Sequence, residues 1–351
     1  MTAVGALTPL GDDPVQSAAA IRAGLSALGE HPYFDVVTPD PEWDEAERLT
    51  AALVPGIPPL LGCPARLLEL ALGALRNLSA SARLLRSELR TTALLLALPS
   101  ADDVVRAWGL AELFAAELCR RAGLPPFPIV RVVEGGHGGV LRQLGEAARL
   151  CESGEAARCI VLGVDSYDDE ARLGWLDARY RLRSDRAKDG FLPGEAAVAL
   201  LVEPAATPAR PALLTYLAPS FAAEAHTVHG ELASSGAALA EVVRAQLAAP
   251  GAPPVVPWVL CDLNGESYRA AEWALVSARL ADRFAEGLEL EHPADCVGDV
   301  GAASAGLYVV CAAQAFRRGY APADSALLFT ASDDGERAAL FVHAPAGEPE
   351  R

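Results

Sequence analysis

The hydrophobic positions up to residue 205 form short continuous runs, and amphipathic segments separate these runs. Continuous apolar runs of this kind are typical of strands that are buried on both faces of a sheet. They predict strands at 91–98, 128–133, 159–164 and 196–202, with helices at about 102–122 and 138–153 between them. The alternation predicts an α/β fold in which helices pack on a mostly parallel sheet.

A proline-rich segment at 204–211 has no apolar periodicity and predicts a linker. The same alternation returns after it, with strands at 212–218 and 257–262, helices at 232–248, 266–287 and 302–317, and a closing hairpin of 326–332 with 337–343. The parallel order of elements predicts one fold used twice, in halves at 1–205 and 211–346. Residues 347–351 are expected to form a disordered tail.

Charge and composition narrow the classes of function. The 351 residues carry a formal net charge of −17, and Lys188 is the only lysine. Binding to nucleic acid needs clustered Lys and Arg, so no nucleic-acid partner is expected. The sequence contains no uninterrupted apolar run of about 18 residues and no secretory signal at its start, so no membrane association is expected and the predicted location is cytoplasmic.

Cysteine and histidine spacings argue against a metal centre. The seven cysteines contain no C-x-x-C pair, which is untypical of a zinc site or a disulfide framework. His226 and His229 have an H-x-x-H spacing, but the sequence pattern supplies no third ligand. We therefore expect no metal and no other cofactor.

Several local sequences resemble those of the β-ketoacyl synthases. They are AVGALTPLG at 3–11 with IRAGLSA at 21–27, GEAARL at 145–150 with SGEA at 153–156 and IVLGVD at 160–165, and DGFLPGEAA at 189–197. The resemblance implies the thiolase fold, a duplicated five-layer αβαβα architecture with two similar halves, usually as a homodimer. It also implies decarboxylating condensation of acyl groups carried on acyl carrier protein or coenzyme A, by a Cys nucleophile with two His, or with one His and one Asn.

The resemblance further implies which positions would carry that reaction, and none of them holds the expected residue. The nucleophile position falls on His137, Asn264 and Asp299 stand where the two histidines are expected, and Ala294 replaces a lysine that often precedes the second. Condensation needs a thiolate, whose pKa is lowered at the start of a helix. Asn264 could still donate a hydrogen bond to a developing enolate, whereas an ionised Asp299 would repel it.

These positions lead to two main hypotheses. The first is a ketosynthase-like pseudoenzyme without condensing activity, which serves as a binding, assembly or adaptor subunit in a homodimer, or in a heterodimer with another thiolase-fold subunit. An acyl carrier protein or a larger bacterial assembly would be its further partner, and the chain-length-factor subunits of bacterial polyketide synthases similarly keep the fold without the Cys. The alternative is an acyl-ACP or acyl-CoA acyltransferase or thioester hydrolase in which Asp299 orients His137 as a base and Asn264 donates to an oxyanion.

Four narrower questions stay open in the sequence. His137 could be a substitute base or a histidine in a glycine-rich turn with no chemistry, and a displaced cysteine, Cys261 or Cys296, could be the nucleophile of a conventional condensing enzyme. Asp262, Asn264, Glu266 and Arg269 follow a predicted strand and form either a structural network or part of a site. The segment DDGER at 333–337 replaces a Gly-Gly gate of the family; its Asp-Gly favours a solvated hairpin turn, and the other interpretation is a plug or ion pair at an acyl tunnel.

Overall fold

Two sheets organise the molecule, which a computed structural model describes at residues 1–37 and 46–345. The strands are β1 (Ala3–Leu7), β2 (Gly29–Val36), β3 (Glu47–Ala51), β4 (Thr92–Leu98), β5 (Ile129–Glu134), β6 (Arg158–Ser166), β7 (Glu195–Val202), β8 (Thr215–Tyr216), β9 (Ser220–Ala223), β10 (Val256–Cys261), β11 (Phe284–Glu291), β12 (Ser325–Ala331) and β13 (Glu336–His343). The helices are α1 (Pro14–Arg22), α2 (Ala65–Ala82), α3 (Asp103–Arg106), α4 (Leu110–Ala122), α5 (Gly139–Glu152), α6 (Glu170–Asp177), α7 (Ala237–Ala248), α8 (Ser267–Arg279), α9 (Ala294–Val297) and α10 (Ser304–Arg318).

The two sheets have equivalent strand orders. The first runs β1-β7-β6-β4-β5 and the second β8-β13-β12-β10-β11, with β9 also paired to β13. In each sheet the last three strands are parallel and the first two pairings are antiparallel. Each sheet is therefore mixed rather than wholly parallel, because a short turn such as that between β12 and β13 can only join antiparallel strands.

The layers follow from which face of each sheet the helices cover. α5 and α10 lie between the sheets, α2 and α4 cover the outer face of the first, and α7 and α8 cover the outer face of the second. Strand β4 shows why its sequence is continuously apolar: Leu95 faces the central helices, while Leu94 and Leu96 face the outer ones. The five-layer αβαβα arrangement with two similar halves is thus confirmed.

A short helical turn precedes each of the two helices of the middle layer, α5 and α10. The turn Gly136–Gly138 precedes α5, and the turn Gly301–Ala303 precedes α10. Gly136 has a φ of 53° and Gly301 a φ of 48°, a conformation that favours glycine, and an added Cβ would clash with Ser100 and Asp165 respectively. These two equivalent turns bring the start of both helices to the centre of the molecule.

Several predicted elements differ from the structure. The helix expected at 102–122 is two helices, because Gly109 adopts a φ of 60° between α3 and α4. The helix expected at 266–287 ends at Arg279, and its last part belongs to the edge strand β11. The strand expected at 212–218 is reduced to β8, α7 begins only after Gly236, and the hairpin of β2 and β3 was not predicted.

Other expectations are not tested by the fold. Boundaries of the halves at 205 and 211 stay a prediction, and the tail at 347–351 lies outside the described residues. Within residues 1–37 and 46–345, no helix combines the length and the apolar character needed to cross a membrane.

Candidate functional site

His137, Asn264 and Asp299 lie together between the two halves of the fold. His137 occupies the turn between β5 and α5, Asn264 follows β10, and Asp299 lies between α9 and the turn before α10. The Nε2 atom of His137 is 2.9 Å from Oδ1 and 3.0 Å from Oδ2 of Asp299, and Nδ2 of Asn264 donates to Oδ2 at 2.7 Å. All three side chains belong to buried residues, with exposures of 4%, 9% and 3% in chain order.

Asn264 and Asp299 make further hydrogen bonds within the protein. Besides Asp299, the Asn264 amide donates to Oε2 of Glu266 at 3.1 Å, and its Oδ1 accepts the Glu266 N–H at 3.1 Å. Oδ1 of Asp299 also accepts the Gly301 N–H at 2.8 Å and lies 3.5 Å from the Tyr167 hydroxyl. Both amide hydrogens of Asn264 are therefore occupied, and each oxygen of the Asp299 carboxylate already accepts a hydrogen bond.

The charges of His137 and Asp299 stabilise each other. Burial by itself would lower the pKa of His137, but the Asp299 carboxylate outweighs it and the pKa is raised above its usual value. Burial by itself would raise the pKa of Asp299, but the His137 charge and hydrogen bond hold it well below its usual range. The pair is therefore favoured as imidazolium and carboxylate, and an imidazolium cannot accept a proton from water.

A charged cluster of Arg181, Glu266, Arg269, Asp262 and Asp333 fills the space beside these residues. Arg181 donates to Oε2 of Glu266 and to Oδ2 of Asp333, each at 3.1 Å. Arg269 donates to Oδ1 of Asp333 at 2.9 Å and to Oδ2 of Asp262 at 2.7 Å. Burial alone would raise the pKa of Asp333, but the two guanidinium groups hold it well below its usual range. The polar residues after β10 thus form a structural network that continues into the Asn264 contacts.

The turn between β12 and β13 is a hairpin, as the sequence favoured, but it is solvated only in part. Arg337 in this segment is 1% exposed and pairs with Glu272 at 2.7 Å. The Ser332 hydroxyl just before it accepts the Gly138 N–H at 2.9 Å and donates to the Gly135 carbonyl at 3.0 Å. The hairpin therefore closes onto the turn that carries His137, and Asp333, Glu336 and Arg337 form ion pairs, whereas Asp334 is exposed.

An open cleft reaches His137. Its volume is about 580 Å³, and Glu134, Tyr167 and Arg172 line it together with His137. Asn264 and Asp299 border a different space of about 10 Å³, which has room for about one water molecule. The three residues therefore do not surround a common cavity that could receive an acyl chain.

The other sequence candidates lie apart from this centre. Cys261 is fully buried with its Sγ 3.8 Å from the Glu291 carbonyl, Cys296 is 8% exposed, and burial raises the pKa of both thiols. Neither cysteine lines the cleft, which argues against a displaced nucleophile. His229 lines the cleft, and in residues 1–37 and 46–345 no three His, Cys, Asp or Glu side chains are grouped to hold a metal ion.

No protein-family model and no curated protein matches the chain, whereas solved structures do. One is the ishigamide ketosynthase/chain length factor, at 22% identity and a TM-score of 0.69, with 98% of each chain covered. Another, AntDE:AntF, is a type II polyketide synthase acyl-carrier protein in complex with its ketosynthase, at 14% identity, a TM-score of 0.76 and 98% of each chain covered. The ketosynthase from module 6 of the bacillaene synthase from Bacillus subtilis 168 matches at 13% identity and a TM-score of 0.78, over 99% of this chain and 72% of that one.

These similarities extend over nearly the whole chain. They show that the chain has the thiolase fold of the ketosynthases, as the local sequence resemblance implied.

Proposed function

We propose that this chain is a ketosynthase-like subunit that does not condense acyl groups and instead pairs with a second, catalytic thiolase-fold subunit. One observation carries the proposal: at the three expected catalytic positions, the Nε2 atom of His137 and the amide of Asn264 both contact the Asp299 carboxylate. Condensation needs a nucleophile that attacks a thioester and free donors that stabilise the enolate. Here the imidazole and the amide direct their N–H groups at Asp299, whose negative charge would oppose an enolate.

The nature of the neighbours supports a subunit role. The ishigamide structure is named as a ketosynthase with a chain length factor, and AntDE:AntF as a ketosynthase with its acyl carrier protein. By analogy, this chain would take the place of the chain length factor, and an acyl carrier protein would be a partner of the assembly. A heterodimer is favoured over a homodimer because two copies of this chain would contain no thiol at the nucleophile position.

One edge of the first sheet supports the pairing. β5 lies at that edge and is rich in half-buried aliphatic side chains, which are Ile129, Val130, Val132 and Val133. An open apolar strand edge readily adds a strand from another chain. The corresponding edge strand of the second sheet, β11, carries Glu286, Glu289 and Glu291, which disfavour such pairing.

Co-purification with the catalytic ketosynthase from the same source tests this function. We expect a one-to-one complex, in which incubation with acyl-coenzyme A or acyl carrier protein labels the ketosynthase cysteine and no residue of this chain. Val132→Lys on β5 should weaken the complex, whereas Leu288→Lys, a matched change on β11, should leave it intact. An acyl adduct on this chain, or condensation by this chain alone, would contradict the proposal.

The cleft of about 580 Å³ beside His137 favours one second candidate, acyl transfer or thioester hydrolysis with His137 as base. The raised pKa of His137 opposes it, because the base form is then depleted. Measuring acyl-thioester turnover by the wild type and by His137→Ala separates the two functions. Turnover that depends on His137 would support an enzyme, and equal background rates would support the non-catalytic subunit.

A further inference from the structure

Two cysteines of the first half lie next to each other at the edge of the middle layer. Cys151 is in the last turn of α5, and Cys159 is the second residue of β6. Their Sγ atoms are 3.9 Å apart, within the range of a hydrogen bond between thiols. All seven cysteines lie in the described part of the chain, and these are the two whose thiols contact each other.

This thiol pair is separate from the candidate site. His137 precedes the first residue of α5, whereas Cys151 lies near the last. A helix rises about 1.5 Å per residue, so α5, with its 14 residues, places the thiols about 20 Å from the imidazole. Neither thiol lines the cleft beside His137. Chemistry at the pair therefore neither uses the site described above nor depends on the proposed function.

The two cysteines differ in their access to solvent. Cys151 is 9% exposed, whereas Cys159 is fully buried. The residues that follow Cys151, at 152–155, are exposed and form the turn that leads to β6. A reagent as small as hydrogen peroxide therefore reaches Cys151 before it reaches Cys159.

The two thiols also differ in acidity, and the thiolate is the reactive form of cysteine. The hydrogen bond with Cys159 is the largest influence on the pKa of Cys151 and lowers it, although burial and the Glu203 carboxylate oppose this effect. The same hydrogen bond, together with burial, raises the pKa of Cys159. Cys63 and Cys119 are only partly buried, but burial raises the pKa of both thiols. Cys151 is therefore the cysteine suited to attack an oxidant, and Cys159 is suited to keep its proton.

The chain between the two cysteines permits a bond between them. A disulfide has an S–S length of about 2.05 Å, so the two sulfur atoms would have to approach by about 1.9 Å. The cysteines are eight positions apart, and the turn between them is exposed. Nothing lies within 4 Å of the place where Gly154 of this turn would carry a Cβ. The approach therefore needs side-chain rotation and a small movement of an exposed turn, and not a rearrangement of the core.

We propose that Cys151 and Cys159 form a redox-active dithiol site, which hydrogen peroxide oxidises to an intrachain disulfide between α5 and β6. The Cys151 thiolate attacks one peroxide oxygen, the O–O bond breaks, and Cys151 becomes a sulfenic acid while hydroxide leaves. The sulfur of Cys159 then attacks the sulfur of the sulfenic acid, so that the S–S bond forms and the S–O bond breaks. The two departing hydroxides combine with the two thiol protons. Two thiols and one hydrogen peroxide thus give one disulfide and two water molecules.

The test treats the native wild-type protein with hydrogen peroxide, alkylates the remaining thiols in denaturant and maps the peptides by mass spectrometry. We expect the loss of two of the seven free thiols and a peptide pair that joins Cys151 to Cys159 and lacks two hydrogen atoms. Dithiothreitol should restore both thiols. The circular dichroism spectrum should be the same before and after treatment, because the disulfide forms in the folded protein.

Variants separate the roles of the two thiols. Cys159→Ala leaves Cys151 without a thiol to resolve its sulfenic acid, so dimedone should label Cys151 in this variant and not in the wild type. Cys311→Ala is the matched control, because Cys311 is a similarly buried cysteine of α10, and disulfide formation should be unchanged in it. In the wild type, Cys151 should be oxidised at least about tenfold faster than Cys311.

The measurement on the wild type decides the proposal, even where a variant fails to fold. Peroxide treatment that produces no Cys151–Cys159 disulfide in the native protein would overturn it. A disulfide that forms only after urea has unfolded the chain, or equal oxidation rates at Cys151 and Cys311, would overturn it as well. None of these results bears on pairing with a ketosynthase, so this inference and the proposed function fail separately.

Discussion

Replacing Asp299 by Asn tests whether His137 and Asp299 stabilise the fold as an ion pair. The change keeps the shape of the side chain and removes a carboxylate charge that lies 2.9 Å from the His137 imidazole. The side chains of His137 and Asp299 are 5% and 3% exposed. Removing one partner of a buried pair costs about 3–5 kcal/mol, because the other charge remains uncompensated. His137 can release its proton and avoid part of this cost, so we expect a loss of about 2–3 kcal/mol at pH 6.

The pH dependence of this loss has a defined sign. The folded pKa of His137 is raised, so its contribution to stability is complete below the usual histidine pKa and is lost as the pH rises through the folded value. The folded pKa of Asp299 is lowered, so its contribution is present above the usual aspartate pKa and is lost as the pH falls through the folded value. The difference between wild type and variant should therefore be larger at pH 6 than at pH 9.

Urea unfolding at both pH values, followed by tryptophan fluorescence at one protein concentration, measures this difference. Asp282→Asn, at an exposed aspartate, is the control and should leave the urea midpoint unchanged at either pH. The reasoning is refuted if Asp299→Asn unfolds at the wild-type urea concentration at pH 6. A difference that grows between pH 6 and pH 9 would refute the assigned charges.

Three further changes test the surrounding contacts. Glu272→Ala leaves Arg337, which is 1% exposed, without its carboxylate partner. It should lower the free energy of unfolding, measured in urea, by about 3–5 kcal/mol. Glu272→Leu/Arg337→Met, which removes both charges, should lower the free energy of unfolding by less. Asn264→Asp would place a second carboxylate at a position 2.7 Å from the first and should lower Tm in calorimetry, more at pH 7 than at pH 4. Gly301→Ala should lower Tm more than Gly319→Ala, because φ is positive at both (48° and 68°) but an added Cβ meets another side chain only at Gly301.

Continuous apolar runs predicted most of the strands well, including the half-buried edge strand β5. Predicted strands at 91–98, 326–332 and 337–343 agree with β4, β12 and β13 to within one residue at each end. β11 was missed because glutamates alternate with apolar residues in this edge strand. That pattern fits a continuation of the preceding helix as well as it fits a strand. The break at Gly109 was missed because an isolated glycine is also tolerated inside a helix.

The candidate site was only partly predictable. The resemblance supplied the positions of His137, Asn264 and Asp299, but not their contacts, which join residues up to 162 positions apart. Arg181 was missed entirely, because it lies between α6 and β7 without a periodic pattern and its partner Glu266 is 85 residues away. Pairing over such distances is set by the tertiary fold and leaves no local signal in the sequence.

The mutual pairing of His137 and Asp299 affects how easily substitutions could introduce a condensing site at this place. A reaction centre usually reduces stability, because it keeps polar groups free for the substrate. Here His137 and Asp299 contact one another, and this contact joins the end of β5 in the first half to a loop of the second half. His137→Cys would remove the cation and leave Asp299 buried beside the charged cluster, so under the proposed function we expect this single change not to confer condensing activity. Several substitutions would have to occur together, because each alone leaves a buried charge without its partner.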